Sequence, residues 1–416
     1  MSEIKQVQLQ NIATFEMGQS PDSITVNDQE MGIPFLQGCA EFGSMTPKHI
    51  FYCTKPKKVC QVGDILISVR APVGTLNKAD KQYCIGRGLA AVRFNSDYSK
   101  NFGWHLLNYW ATSLEKVSQG STFTAIGKND LESLNVIVFP RKEQEKIAEI
   151  LDKVDNAIAL TEALIKKLKQ IKAGLLQDLL TRGLDDNGEL RNPDTHPEQF
   201  KESPFGKIPV NWEVKTLDDC DIEIIDGDRG SHYPNSNELL PEGYCLFLNT
   251  SNVTSNGFNS NSLQFITKDK DNQLRTGKLK RNDIVITTRG TVGNTILYDL
   301  NINFDNIRIN SGMVILRNND KLFDNYFLFA SLKNYLLPLG YKKISSGSAQ
   351  PQLPIKDLKQ FNLICPPLNE QEKIAKILDT QGRAITKEEQ YLKKLKQKKQ
   401  GLMQDLLIGK VRLNHL

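Results

Sequence analysis

Cysteine is scarce and scattered in this 416-residue chain: seven residues, at 39, 53, 60, 84, 220, 245 and 365, with no CxxC pair among them. An odd, dispersed set argues against a disulfide framework and against a structural zinc, and it fits a reducing cytoplasm. Long apolar runs are missing as well; the longest are a handful of residues, such as 136–140, too short to span a bilayer. The opening MSEIKQVQLQ has no apolar stretch behind its charges, which argues against secretion. Five histidines (49, 105, 196, 232, 415) show neither HxxxH nor HExxH spacing, so no metal site is expected. No GxxxxGK followed by Ser or Thr occurs to cradle a phosphate, and no GxGxxG follows a strand. The Asn/Asp-Pro-Pro-aromatic tetrapeptide of an amino-methyltransferase is absent. A nuclease needs acidic residues holding Mg²⁺ beside a lysine. The nearest fits, Glu3-Ile-Lys5 and Glu213-Val-Lys215, lack an upstream acidic partner. Asp226-Gly227-Asp228-Arg229-Gly230 mimics half a metal loop with nothing to complete it, and reads as a flexible loop carrying one useful arginine, Arg229.

What the chain does have is a repeat. EQEKIAEILDKVDNAIALTEALIKKLKQIKAGLLQDLL begins at Glu143, and EQEKIAKILDTQGRAITKEEQYLKKLKQKKQGLMQDLL begins at Glu370, with 24 of 38 aligned positions identical at an offset of 227. Ile147, Val154, Leu168 and Leu175 recur at heptad spacing with Leu151, Ile158, Ile165 and Leu179 four further on; Ile374, Leu395, Leu402 and Leu378, Ile385, Leu392, Leu406 repeat the pattern. Such a stripe between charged outer faces predicts two long helices, each roughly 57 Å at 1.5 Å per residue, that form a coiled coil. Gln381 and Glu388 interrupt the second stripe where the first has Val154, Thr161 and Leu164 packing.

The repeat continues upstream at lower similarity. GDILISVRAPVG (63–74) matches NDIVITTRGTVG (282–293), and SQGSTFTAIGKNDL (118–131) matches SSGSAQPQLPIKDL (345–358). Alternating strands beside shorter helical stretches predict an α+β chain. The plan is two globular domains (1–142 and 210–368), a central helix (143–182), an extended Pro-, Gly- and Asp-rich linker (183–209) and a C-terminal helix (369–416). At 46.9 kDa, with 39 % apolar and 24 % charged residues, there is material for more than one core. A net charge of +5 permits a nucleic-acid partner. Arg70 and Arg289 end equivalent strands at Gly turns, and Arg is the preferred bidentate partner of guanine, as Gln is of adenine. Lys128, Ser348, Gln350 and Gln352 sit in the matching polar loops and complete, with Arg229, the candidate DNA contacts.

Glu-Gln-Glu-Lys-Ile-Ala-x-Ile-Leu-Asp opening both helices, Gly-Leu-x-Gln-Asp-Leu-Leu closing them, Gly206-Lys207-Ile208-Pro209-Val210-Asn211-Trp212 and the duplicated strands together resemble a specificity subunit of a type I restriction–modification system. The resemblance implies two target recognition domains separated by two helices pairing as an antiparallel coiled coil, with a pseudo-two-fold internal repeat. It implies a non-catalytic subunit that reads an asymmetric bipartite site in double-stranded DNA. Two methyltransferase subunits, and restriction/translocase subunits in the full complex, are the implied partners. S-adenosylmethionine, ATP and Mg²⁺ would sit on those partners, so this chain is expected to hold no cofactor. Helix packing leaves the matched outer residues Glu145, Lys146, Gln177, Asp178 and their copies Glu372, Lys373, Gln404, Asp405 unexplained, which makes them candidate partner contacts. Thr122-Phe123-Thr124-Ala125 replaces the Ala-Gln-Pro-Gln of 349–352. The competing readings are a stand-alone modification or restriction enzyme and a coiled-coil scaffold that binds no DNA.

Overall fold

The structure, a computed structural model, describes residues 4–119, 125–319, 322–338 and 352–413. The chain is α+β and divides into two compact units, one made of 1–164 with 388–416 and the other of 165–387. Each unit therefore holds one globular part and half of each long helix. No described helix is long and apolar enough to cross a membrane.

The two globular parts repeat one plan. In the first unit a four-stranded antiparallel sheet runs in the order Ala13–Met17, Leu89–Phe94, Ile65–Ser68, Leu76–Lys78. In the second the order is Ile222–Asp226, Met313–Asn318, Ile284–Thr287, Thr295–Leu297, the same succession. A strand pair leads to each long helix: Lys5–Gln8 with Asn135–Val138, and Glu213–Thr216 with Asn362–Cys365. Each unit also has a parallel pair, Ile33–Leu36 with Tyr83–Ile85 and Cys245–Leu248 with Ile307–Ile309. The sheets around those pairs differ, five strands against three.

The repeated Gly-Asp and Asn-Asp motifs prove to be fastenings. Asp64 accepts the Gln61 amide and both arms of Arg93 at 2.7–2.8 Å. Asp283 accepts the Lys280 amide and both arms of Arg317 at 2.7–3.0 Å. Both carboxylates are buried, where an ion survives only if paired and hydrogen-bonded.

The long helices run Arg141–Thr181 and Leu368–Leu407. In the first unit the ion pairs Asp155–Lys399 (2.6 Å) and Glu162–Lys396 (2.7 Å) align them antiparallel. In the second, Lys172 approaches Gly382 while Gly183 approaches Glu370, again antiparallel. The heptad residues Ile147, Leu151, Ile165, Leu179, Ile374, Leu378, Ile385, Leu395 and Leu406 are buried as the pattern predicts. Leu164 is a correction. It is 44 % exposed, because Thr161, whose hydroxyl bonds the Ala157 carbonyl, fills the inward position one turn earlier.

The linker, expected to be extended, is folded instead. Phe200–Ser203 and Gly206–Pro209 form a hairpin, Leu184 bridges Leu190, and Ile208 and Trp212 are wholly buried. Its polar composition hid three anchors. Arg191 holds Glu370 through two nitrogens (2.6 and 3.2 Å), the Trp212 indole donates to the same carboxylate at 3.1 Å, and the Leu184 amide donates at 2.8 Å. The first unit repeats the latch with Glu143, which receives Arg412 at 2.8 and 2.9 Å and the Leu413 amide at 3.0 Å. The neighbouring glutamines act as a second pair of locks. Gln144 bonds the Ser99 amide and the Phe139 carbonyl, while Gln371 bonds the Asp324 amide and the Leu322 and Pro366 carbonyls. The repeated Glu-Gln is thus explained by contacts inside each unit.

Candidate nucleic-acid interface

Arg70 and Arg289 stand where the sequence repeat puts them, each just past a fully buried strand at a tight hairpin. A buried hydroxyl braces each hairpin from within. Ser68 accepts the Thr75 amide (2.9 Å), and Thr287 accepts the Asn294 amide (3.0 Å) while donating to the Thr291 carbonyl. Gly74 and Gly293 carry the positive φ that the turns need, 88° and 89°. The segment leading to each long helix then crosses the hairpin. Arg70 forms a bridge with Ala125 and Arg289 with Gln352, fixed by the amides of Ile126 and Leu353 donating to the carbonyls of Val69 and Thr288. Both arginines are exposed.

Their guanidinium groups are also unusual within the chain. Of its fourteen arginines, eleven have a carboxylate oxygen within 4.0 Å. The three without one, among the described residues, are Arg70, Arg87 and Arg289. An exposed guanidinium with no internal partner keeps its planar donor fork available to phosphate or to a base edge.

The other candidates fall into different classes. Gln352 is exposed and paired by its backbone to Arg289, so residue types suited to guanine and adenine meet at one edge of the second unit. Ser348 and Gln350 lie outside the described residues, as do 120–124 of the matching loop. Lys128 opens the short helix Lys128–Glu132 beside the Arg70 hairpin, half-exposed, with Glu132 at 3.4 Å. Arg229 is exposed but tethered, 3.0 Å from Asp226 and 3.3 Å from the Ser311 carbonyl. The loop that carries it is fastened, which corrects the expectation of a flexible one. Asp228, beneath it, is buried and accepts the amides of Gly230 and Arg275 at 2.7 Å. Burial pushes the Asp228 carboxyl up, and the amides around it more than offset this, so it is held below the usual range.

The outer residues of the helices are mostly at the surface. Glu145, Gln177, Glu372, Lys373 and Gln404 are exposed; Lys146, Asp178 and Asp405 are half-buried. Glu145 pairs with Arg141 (2.7 Å), Asp178 with Arg182 (3.2 Å), and Lys373 reaches the Asp186 carbonyl (3.4 Å). Gln177, Glu372 and Gln404 have no side-chain partner among the described residues. The sequence reading missed an apolar component on the outer surface. Leu160 (72 % exposed) and Leu164 are one turn apart on the central helix, and Tyr391 is half-exposed on the C-terminal one.

Known proteins share this plan. The family model described as "Type I restriction modification DNA specificity domain" matches residues 1–170 and 209–397. A putative type I restriction enzyme MjaX specificity subunit from Methanocaldococcus jannaschii is 42 % identical over 166 residues, 40 % of this chain and 39 % of that protein. The MjaVIII specificity subunit of the same organism is 27 % identical over 311 residues, 73 % of this chain and 68 % of that one. The crystal structure of a type I restriction–modification S subunit from M. genitalium has a TM-score of 0.62 at 16 % identity, covering 98 % and 96 % of the two chains, a likeness of fold. With two matches of the family model that together take in most of its length, the chain belongs to the type I restriction–modification specificity family.

Proposed function

We propose that this chain is the non-catalytic DNA-reading subunit of a type I restriction–modification complex, each globular part reading one half of an asymmetric bipartite site. The observation that carries this reading is the duplicated hairpin with its exposed guanidinium, without a carboxylate partner among the described residues, Arg70 in one unit and Arg289 in the other, on two parts whose flanking sheets differ. One arginine scaffold with unlike surroundings suits two unlike half-sites. Methyltransferase subunits would dock on the helices around Glu145, Gln177, Glu372, Gln404 and the exposed Leu160 and Leu164, with restriction subunits joining through them. S-adenosylmethionine, ATP and Mg²⁺ belong, on this reading, to those partners. A coiled-coil scaffold would lack both sequence preference and the salt dependence of phosphate contact.

The test is a binding selection from duplexes carrying two randomised half-sites, with the full chain alone and assembled with a methyltransferase subunit. A two-part consensus supports the reading, and so does relaxed preference within one part only in Arg289→Ala and within the other only in Arg70→Ala. A flat profile across all sequences overturns it. Glu372→Lys combined with Gln404→Lys should lower the number of methyltransferase subunits bound, measured by light scattering.

A further inference from the structure

Arg87, the third guanidinium without a carboxylate partner among the described residues, has a counterpart in the second unit that the sequence repeat does not reveal. Strand register locates it. Met17 pairs with Ala90 in the first unit and Asp226 with Val314 in the second, at the same end of corresponding strands. Gly18 and Gly227 follow. Each lies so close to the facing chain that a Cβ would sit 2.1 Å from a carbonyl oxygen, of Gly86 and of Asn310 respectively. Gly86 and Asn310 donate their amides to Leu36 and Leu248 (2.7 and 2.9 Å), which are again equivalent. Three residues beyond each strand pair the chains face each other once more, and there the first unit has Ser20 and Arg87 where the second has Arg229 and Ser311. The pairs touch in both. The Arg87 amide lies 3.5 Å from the Ser20 hydroxyl, and the Arg229 guanidinium donates to the Ser311 carbonyl at 3.3 Å.

The serine and the arginine have changed places across one contact. The exchange sits beside the reading hairpins, since the Gly88 carbonyl accepts the Val69 amide and the Gly312 carbonyl accepts the Thr288 and Arg289 amides. Resting on the DNA-reading function proposed above, we infer that Arg87 is a base-reading residue of the first half-site, the partner of Arg70 there as Arg229 is of Arg289. Each reading edge then presents two arginines, and the exchange moves the second one from one loop to the facing loop. The base it meets shifts accordingly. The tether differs too. Asp226 holds Arg229, whereas its counterpart Met17 cannot hold an arginine, so Arg87 is positioned only when DNA supplies the acceptor.

Arg87 has no internal side-chain partner among the described residues, so its replacement leaves the fold intact. In the half-site selection, Arg87→Ala should relax one base position of the first half-site by about 5- to 150-fold, the range of one lost bidentate contact, and leave the second half-site unchanged. Arg87→Lys should recover only part of the preference at that position, because an ammonium lacks the planar fork that matches a guanine edge. The exchanged variant S20R/R87S should keep binding while its preference at that position changes. An unchanged profile overturns the inference. So does an equal loss on every sequence with a salt slope lower by about one, rescued by Arg87→Lys, which is the behaviour of a phosphate contact. In both of those outcomes the wild-type chain still selects a two-part site; a wild-type chain that selects nothing removes the underlying reading instead.

Discussion

The two latches at the helix starts use one glutamate and different neighbours. Glu370 is held by Arg191, the Leu184 amide and the Trp212 indole, and the side chains of the ion pair are 7 % and 10 % exposed. Glu143 has Arg412 and the Leu413 amide, with no indole, and Arg412 is 26 % exposed. The glutamate at offset 227 is kept, and what receives it is supplied by whichever segment follows the other helix. A buried carboxylate with four donors is costly to lose, because each donor is then left unpaired. The comparison teaches that the first unit is closed by a more exposed, less redundant clasp.

Glu370→Ala should give the largest effect, about 3–5 kcal/mol, since it strands Arg191 and Trp212 in the core of the second unit. Hydrogen exchange resolved by segment should show lost protection in the Phe200–Pro209 hairpin. If Glu143→Ala were equally damaging to its own unit, the ranking of the two clasps would be wrong. Next in size comes recognition. Arg289→Ala should cost about 1–3 kcal/mol of discrimination at one base position, read by competition binding. Gln352→Ala should affect a neighbouring position, whereas its counterpart Ala125 carries no hydrogen-bonding side chain to lose.

Acid should separate the clasps without any mutation. The Arg412 guanidinium holds the Glu143 carboxyl below the usual range; burial works against this, and the Leu413 amide assists. A depressed folded value means that the contribution is present above the unfolded value, about 4.3, and is lost as pH falls through the folded one. Protection of the Leu413 amide should therefore decay in that window, and Glu143→Gln should abolish the acid step. A pH-independent amide would contradict the role given to Arg412. The smallest effect expected is at Lys128. Its replacement by Ala should lower the salt slope of binding by about one unit with sequence preference unchanged.

Most of the helical frame was legible because seven-residue apolar spacing is a strong signal and burial follows it at Ile147, Leu151, Ile374 and Leu378. The hairpin arginines were legible because strand, arginine and glycine recur together. Arg87 was not, since a repeat search aligns identical residues and here the residue types are exchanged; only strand register pairs 87 with 311 and 20 with 229. The role of Glu143 and Glu370 was hidden for another reason. Their partners lie 269 and 179 residues away, beyond any local pattern. The linker misled through composition, because polar, Gly- and Pro-rich sequence can still bury one leucine and one isoleucine, Leu184 and Ile208, that fix its path against Trp212 just beyond it.

The division of the chain into 1–164 with 388–416 and 165–387 also sets an order of assembly during synthesis. Domains generally fold as they leave the ribosome, the N-terminal one first. Here the stretch made first lacks half of its helix pair and its clasp, while the second unit is one continuous stretch of chain. The second unit can close as soon as 387 has emerged. The first must wait, with the apolar stripe at Ile147 and Leu151 uncovered, until Leu406 and Arg412 arrive. In biogenesis the opening domain is the last to be finished, and a translational pause between 165 and 387 prolongs its exposure to chaperones and proteases.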